Sequence, residues 1–193
     1  MASEVATREP PIIFVAEMVR AIIEGRKTQT RRVIKPQRIR VTKSPAGRDL
    51  VWLGDTTNRL SCPYAPGMTL WVCETVQYTG PWNIPNEGRL WYPADGKKPF
   101  DEAVQTKSGE FMPRWASRLT LEVTDVRVQR VQDISEEDAR AEGCDVGCRK
   151  IGCDCARNKF HELWDSINAK RGFGWDANPA VRAVTFKRID GGR

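Results

Sequence analysis

The sequence lacks any apolar run that approaches the roughly 18 residues needed by a membrane-spanning helix. The opening residues, MASEVATREP, lack the basic-then-apolar order of a signal peptide. Internal repeats and low-complexity tracts are absent, and the 193 residues are 40% hydrophobic and 29% charged. This composition is globular and disfavours collagen, coiled coil and wholesale disorder. We therefore expect one domain, residues 1–193, in a cytoplasmic protein without a membrane contact.

Acidic residues are absent from positions 26–48, which contain nine cations and are here called the basic segment. The chain has 31 Lys and Arg against 25 Asp and Glu, a net charge of +6, and residues 51–193 contain 20 of each sign. All of the excess therefore lies in the first 50 residues. Such a segment attracts polyanions by counterion release, so nucleic acid is the first partner to consider. The candidates for nucleic-acid contacts are Arg26, Arg31, Arg32, Lys35 and Arg38. A solvated basic loop is the alternative.

Hydrophobic periodicity predicts an α+β protein. Helical spacing indicates helices before Gly25, over 134–143 and around 160–167, and strand-type patterns mark 12–14, 33–34, 50–53, 70–72, 119–123 and 183–186. This order favours a small β-barrel with helices on its rim. Two polar segments with Pro and Gly, about 37–66 and 78–112, are predicted to be long loop insertions. In the second, Trp82, Trp91 and Tyr92 either stack on unpaired bases or fasten the loop to the barrel.

Three features together resemble the ASCH domain, a branch of the PUA-like superfamily. The turn that begins G-R-K-T-Q-T-R at Gly25 is similar to the G-x-K-x-x-T-x-R signature of that family. The P-G-M-T-L-W-V-C-E-T segment is similar to its Gly-Asp-x-Leu strand, although Met68 replaces the common Asp. The S-E-E-D-A-R-A-E-G helix and the closing W-D-A-N-P-A-V-R-A-V-T-F resemble the prophage-encoded members. The resemblance implies a PUA-like pseudo-barrel with a cleft for RNA or a nucleotide-like ligand.

The resemblance also implies a catalytic set. In the small amidohydrolases of this superfamily that deacetylate N4-acetylcytidine, the proposed residues are a Lys, a Thr and a Glu, which match Lys27, Thr30 and Glu142 here. A near-helical turn would bring Lys27 and Thr30 to the same side, where a Lys of lowered pKa would activate the hydroxyl. Glu142 would exchange a proton with the leaving nitrogen. The alternative is that Lys27 and the arginines contact phosphates, Thr30 bonds to the backbone, and Glu142 pairs with a cation.

Four of the six cysteines lie within twelve residues, in a Cys-rich insertion over about 144–157. In a cytoplasmic protein they are not expected to form structural disulfides. Such a density of cysteines is typical of a zinc knuckle. Because four thiolates leave no open position for water, the zinc is expected to be structural, and no cofactor is expected to be required for catalysis. Reduced or adventitiously oxidised thiols are the alternative. The predicted ligands are Cys144, Cys148, Cys153 and Cys155.

Several function classes stay open at this point. The chain is expected to bind RNA or a modified nucleoside, either as a binding module or as an amidohydrolase acting on an N-acylated cytosine. A ribonuclease is a third class, because a Lys, Thr, Glu and Arg set beside bound RNA could cleave phosphodiesters. A fourth is a phage-encoded interaction module whose basic segment meets an acidic surface of a host protein.

Overall fold

The computed structural model describes residues 9–35, 37, 39–43, 49–53, 63–82, 87–96, 104–144, 147 and 154–189. The helices within these residues are α1 (Ala16–Ile23), α2 (Glu136–Ala141) and α3 (Cys155–Asn168). The strands are β1 (Pro11–Ile13), β2 (Gln29–Val33), β3 (Ile39–Lys43), β4 (Asp49–Leu53), β5 (Thr69–Cys73), β6 (Val76–Tyr78), β7 (Leu90–Trp91), β8 (Gln105–Lys107), β9 (Thr120–Arg130) and β10 (Ala180–Ile189).

The α+β class is confirmed. Within the described residues the strands form open sheets rather than a closed one, so the barrel stays a prediction. Among the same residues, no helix has the length and apolar character to cross a membrane. The chain divides into two compact units, one of residues 1–25, 67–122 and 187–193, the other of residues 26–66 and 123–186.

The first unit is organised around β5. Parallel pairing joins β1 to β5, with Pro11 opposite Trp71, and the first residues of β9 pair antiparallel with β5, with Glu122 opposite Thr69. Strand β6 lies between β7 and β8 in a second sheet. Since β7 and β8 fall inside the predicted loop 78–112, part of this segment is regular structure.

The aromatic side chains of this unit pack against one another. The Trp82 ring lies 4.5 Å from the ring of Tyr78 and 5.6 Å from that of Trp115, measured between centroids. The Tyr92 hydroxyl donates to the carbonyl oxygen of Ala116 at 2.8 Å, and the Arg118 guanidinium stacks 4.0 Å from the Tyr92 ring centroid. Trp82 and Tyr92 therefore pack against residues of their own unit. This is the second of the two roles predicted for them, the first being stacking on unpaired bases.

The second unit carries β2, most of β9 and β10, and both C-terminal helices. Strands β2 and β10 pair antiparallel, with Gln29 opposite Thr185 and Val33 opposite Val181. The apolar positions of α3 fall three and four residues apart, so Phe160 and Trp164 share one face. They pack into a buried cluster with Val131, Ile134, Ala139, Cys144, Ala156 and Val181. Residues 39–43 and 49–53, inside the predicted loop 37–66, form an antiparallel pair that includes the predicted arm at 50–53.

Candidate functional site

The motif turn is extended where the sequence suggested a near-helical turn. Strand β2 begins at Gln29, inside the motif, and Lys27 forms an isolated antiparallel bridge with Glu142. The backbone N–H of Thr28 donates to the Ala141 carbonyl at 2.8 Å, and the N–H of Phe186 donates to the Thr28 carbonyl at 2.9 Å. These bonds fix the motif between the end of α2 and strand β10.

Helix α2 presents two carboxylates to this turn. Ser135 begins the helix, because its hydroxyl accepts the N–H of Asp138 at 3.1 Å. Asp138 and Glu142 are four residues apart, which places them on the same face of a helix. Gly143 has a positive φ of 90°, a conformation that ends the helix at little cost for glycine.

Lys27 and Glu142 form a buried ion pair. The Lys27 ammonium donates to Glu142 Oε2 at 2.7 Å, to the Glu142 carbonyl at 2.8 Å and to the Gln29 carbonyl at 2.8 Å. Their side chains are 0% and 5% exposed. An ammonium has three N–H donors, so these bonds account for all of them. Lys27 therefore holds the end of α2 to the start of β2.

Arg31 extends the pair into a network. Its Nη1 donates to Glu142 Oε1 at 3.0 Å and to Gln29 Oε1 at 2.6 Å, and its Nη2 donates to Asp138 Oδ2 at 2.8 Å. Arg127 adds a second guanidinium, whose Nη2 donates to Asp138 Oδ1 at 3.1 Å. The Arg31 side chain is 0% exposed. Charge-assisted bonds of this kind are about twice as strong as neutral ones.

The charge of Asp138 is stabilised by this network. Burial alone would raise its pKa, but the hydrogen bond from Arg127 and the charges of Arg31 and Arg127 outweigh burial, so the pKa of Asp138 is lowered. A carboxyl with a lowered pKa in the folded state stabilises that state above its unfolded pKa. This stability is lost as the pH falls through the folded value.

We expect Asp138→Asn to lower the free energy of unfolding at neutral pH, and the difference from wild type to shrink as the pH falls below about 4. Urea unfolding at a series of pH values measures this difference. Asp176→Asn is the control, because Asp176 is exposed in the same unit. A difference that stays constant down to the most acidic pH would contradict the assignment.

Thr30 is buried in the extended backbone of β2. Side chains alternate along β2, and Gln29 and Arg31 share the face toward Asp138. Thr30 therefore occupies the other face of the strand, opposite Val184 on β10. The helical-turn geometry expected for Lys27 and Thr30 is wrong, because an odd spacing in extended backbone separates side chains. Of the three residues, Lys27 and Glu142 are in contact.

The predicted nucleic-acid residues divide by exposure. Arg26 and Lys35 are exposed, and Arg32 is half-buried. The Lys35 ammonium lies 5.2 Å from the Phe173 ring centroid. The Arg31 guanidinium is bonded to Asp138 and Glu142, and its side chain is 0% exposed. Arg31 is therefore not accessible to a phosphate group of a ligand in solution. Arg38 lies outside the described residues.

The described cysteines do not present a thiolate set. Cys144 is buried, and burial raises the pKa of its thiol to about 11. Cys155 is disulfide-bonded, although these cysteines were not expected to form structural disulfides, so a zinc site using Cys155 requires that bond to be reduced. Cys148 and Cys153 lie outside the described residues. Among described residues no three His, Cys, Asp or Glu are grouped to hold a metal, and the structural zinc stays a prediction.

Sequence reasoning missed four members of the network: Gln29, Arg127, Asp138 and Thr185. The Gln29 amide nitrogen donates to Asp138 Oδ1 at 3.3 Å and to Thr185 Oγ1 at 3.2 Å. The spacing of four residues between Asp138 and Glu142 is a signal that could have found one of them. Gln29, Arg127 and Thr185 are brought in by strand pairing, which leaves no comparable local pattern.

No family model matches this chain, and no curated protein matches it either. The fold resembles solved structures with low sequence identity. One is a protein of Enterococcus faecalis V583 described under the family model DUF984, with 11% identity, a TM-score of 0.46, and coverage of 97% of this chain and 83% of that one. Another is an ASCH domain from Lactobacillus crispatus JV V101, with 15% identity, a TM-score of 0.41, and coverage of 94% and 80%.

Proposed function

We propose that this chain is a binding module for RNA or a nucleotide-like ligand. The observation that carries the proposal is the division of the motif cations into two groups. Lys27 and Arg31 are turned inward, with fully buried side chains that carboxylates neutralise. Arg26 and Lys35 are exposed on either side of them. The inward pair fixes the backbone, and the outward pair presents charge from a segment without an anion.

The buried network supports positioning roles for Lys27 and Glu142. A general base needs a lone pair that faces the substrate, whereas the Lys27 ammonium is protonated and donates to three protein acceptors, one of which is the Glu142 carboxylate. Binding of a polyanion needs no such lone pair. It needs cations held at a fixed spacing, which the bonds between α2, β2 and β10 supply.

The double variant Arg26→Gln/Lys35→Gln is expected to bind a labelled single-stranded RNA decamer more weakly than wild type. For single strands, the slope of log affinity against log salt is negative, and each lost phosphate contact reduces its magnitude by about 0.7. For the two substitutions we therefore expect the magnitude to decrease by about 1.4. Fluorescence anisotropy at several salt concentrations measures both quantities. The matched control is Arg20→Gln/Lys159→Gln, which removes two exposed cations outside the basic segment.

Two results would overturn the proposal. One is a wild-type affinity that does not change with salt, and the other is an equal slope in the double variant and in the control. Pull-down from nuclease-treated lysate separates a protein partner from a nucleic-acid partner. Incubation of labelled RNA with and without chelator separates binding from cleavage.

An amidohydrolase is the second candidate, because Lys27 and Glu142 are in contact at 2.7 Å. Incubation with N4-acetylcytidine, followed by chromatography, tests it. The binding module predicts no release of cytidine. Turnover that is lost in Lys27→Met and in Thr30→Val, with both variants folded, would establish the hydrolase instead.

A further inference from the structure

The exposed apolar side chains of this protein are concentrated in the first unit. Among the described residues, six of the seven large apolar side chains that are exposed belong to that unit, and the seventh, Ile167, belongs to α3 in the second. Exposed apolar residues that are scattered singly need no explanation, whereas a contiguous group of them marks an interaction surface. The six are Ile13, Val15, Ile23, Leu90, Phe111 and Trp115.

A short segment that packs on strand β5 presents Phe111 and Trp115. Met112 and Ala116, which follow them directly in sequence, are buried and pack against Cys73 at the end of β5. Phe111 and Trp115 lie on the solvent side of this contact, where Phe111 is 65% exposed and Trp115 is exposed as well. The buried pair therefore holds the exposed pair in place.

The backbone of the same segment is fixed by hydrogen bonds and by close packing. The N–H of Phe111 donates to the Ser108 carbonyl at 3.0 Å, and the Sδ atom of Met112 accepts the N–H of Glu74 at 3.3 Å. A Cβ atom on Gly109 would lie 3.2 Å from the Glu74 nitrogen, so a larger residue there would move the segment away from β5. Because the rings are held on ordered backbone, little conformational entropy is lost when a partner binds.

Ile13 extends the surface toward the edge of the sheet. Strand β1 pairs in parallel with β5, and Ile13 lies opposite Cys73. Side chains of residues paired in this way lie on the same face of a sheet, and this face is the one that Met112 and Ala116 cover. Trp71 is half-buried two residues before Cys73, on the same face of β5. The exposed Ile13 side chain therefore lies on the side of the sheet that carries Phe111 and Trp115.

Charges of both signs accompany these apolar side chains. Arg114 lies over the Trp71 ring, 5.9 Å from its centroid, and its Nη2 donates to Glu9 Oε2 at 3.0 Å. Glu110 is exposed next to Phe111. The first unit contains 11 Lys and Arg against 12 Asp and Glu, a net charge of −1, whereas the second unit carries +7. The surface therefore offers a polyanion no excess of positive charge, and two copies of it do not repel each other.

We infer that two copies of this chain associate through this surface, here called the apolar patch, which consists of Ile13, Trp71, Phe111, Arg114 and Trp115. In a twofold contact each surface meets its own copy, so a surface with both signs of charge can pair with itself. Aromatic residues and Arg are enriched at protein interfaces. The inference goes beyond the proposed function and does not rest on it, because the basic segment lies in the second unit.

Sedimentation velocity over a range of protein concentrations tests the inference, with nuclease-treated protein so that bound nucleic acid cannot join two copies. Wild type is expected to form a dimer that persists at raised salt, because salt does not screen an apolar contact. Phe111→Gln is expected to weaken dimerisation about tenfold or more, since both copies lose the ring. Ile167→Gln is the matched control, because it replaces an exposed apolar residue of the second unit. Circular dichroism shows that both variants are folded.

The outcomes are distinct from those that test RNA binding. A wild type that remains monomeric up to about 100 µM would overturn the dimer, and so would equal dimerisation constants in Phe111→Gln and Ile167→Gln. Dissociation of the dimer at raised salt would assign the contact to charge and reject the apolar patch. A monomeric wild type whose affinity for labelled single-stranded RNA falls in Phe111→Gln would also overturn the dimer and assign the patch to stacked bases.

Discussion

Glu142→Ala is expected to lower the free energy of unfolding by about 3–5 kcal/mol. The side chains of Lys27 and Arg31 are 0% exposed, and both donate to the Glu142 carboxylate. Removal of this carboxylate leaves Lys27 with backbone carbonyl oxygens, which carry no full charge. Arg31 retains Asp138, so the cost is concentrated on Lys27. Urea unfolding followed by circular dichroism measures the loss.

Two further variants show whether the loss comes from an uncompensated buried charge. Lys27→Met removes the cation and leaves Glu142 bonded to Arg31, so we expect a smaller loss than in Glu142→Ala. Because Lys27→Met/Glu142→Ala removes both charges of the pair, it is expected to be more stable than Glu142→Ala alone. Glu137→Ala is the control, since Glu137 is exposed on the same helix. If the single and double variants lose equal stability, the ion pair is not the cause.

The same variants bear on function. In the binding module, Glu142 acts through Lys27 and Arg31 and is a positioning residue. We therefore expect Glu142→Gln to retain the salt dependence of RNA binding at temperatures where the variant is folded. In a hydrolase, Glu142 would act on the substrate, and turnover would be lost at those temperatures. Stability and activity thus respond differently in the two candidates.

Local patterns predicted the helices well because their signals lie within a few residues. Ser135 begins α2, and Phe160 and Trp164 mark the buried face of α3, as expected. The start of β2 was predicted too late, at Val33, because its earlier residues are polar. Gln29 and Arg31 are nonetheless buried, since α2 supplies their partners from more than 100 residues away. Propensity cannot register a partner so distant in sequence.

The candidate site was predicted in part for the same reason. The resemblance to a known motif named Lys27 and Glu142, which are in contact. It also named Thr30, which lies in the extended backbone of β2 rather than in a near-helical turn. The position of Thr30 opposite Val184 depends on strand register, and register is decided by which residues pair rather than by either strand alone.

Trp164→Ala is expected to lower the free energy of unfolding by about 3–5 kcal/mol, because it opens a cavity in the cluster between α3 and the sheet. Ile167→Ala on the same helix is the control, since Ile167 is 42% exposed, and a change within about 0.5 kcal/mol is expected. Urea unfolding compares the two. An equal loss in both variants would show that the face of α3 is assigned incorrectly.

Trp164→Phe separates packing from the hydrogen bond to Phe173. This variant keeps an aromatic ring but loses the indole N–H, so the expected loss of stability is smaller, about 1 kcal/mol from the hydrogen bond. The bond holds the turn after α3, where the Phe173 N–H also donates to the Asn168 carbonyl at 3.1 Å. If Trp164→Phe loses as much stability as Trp164→Ala in urea unfolding, the hydrogen bond and not the packing of the ring is the main contribution of Trp164.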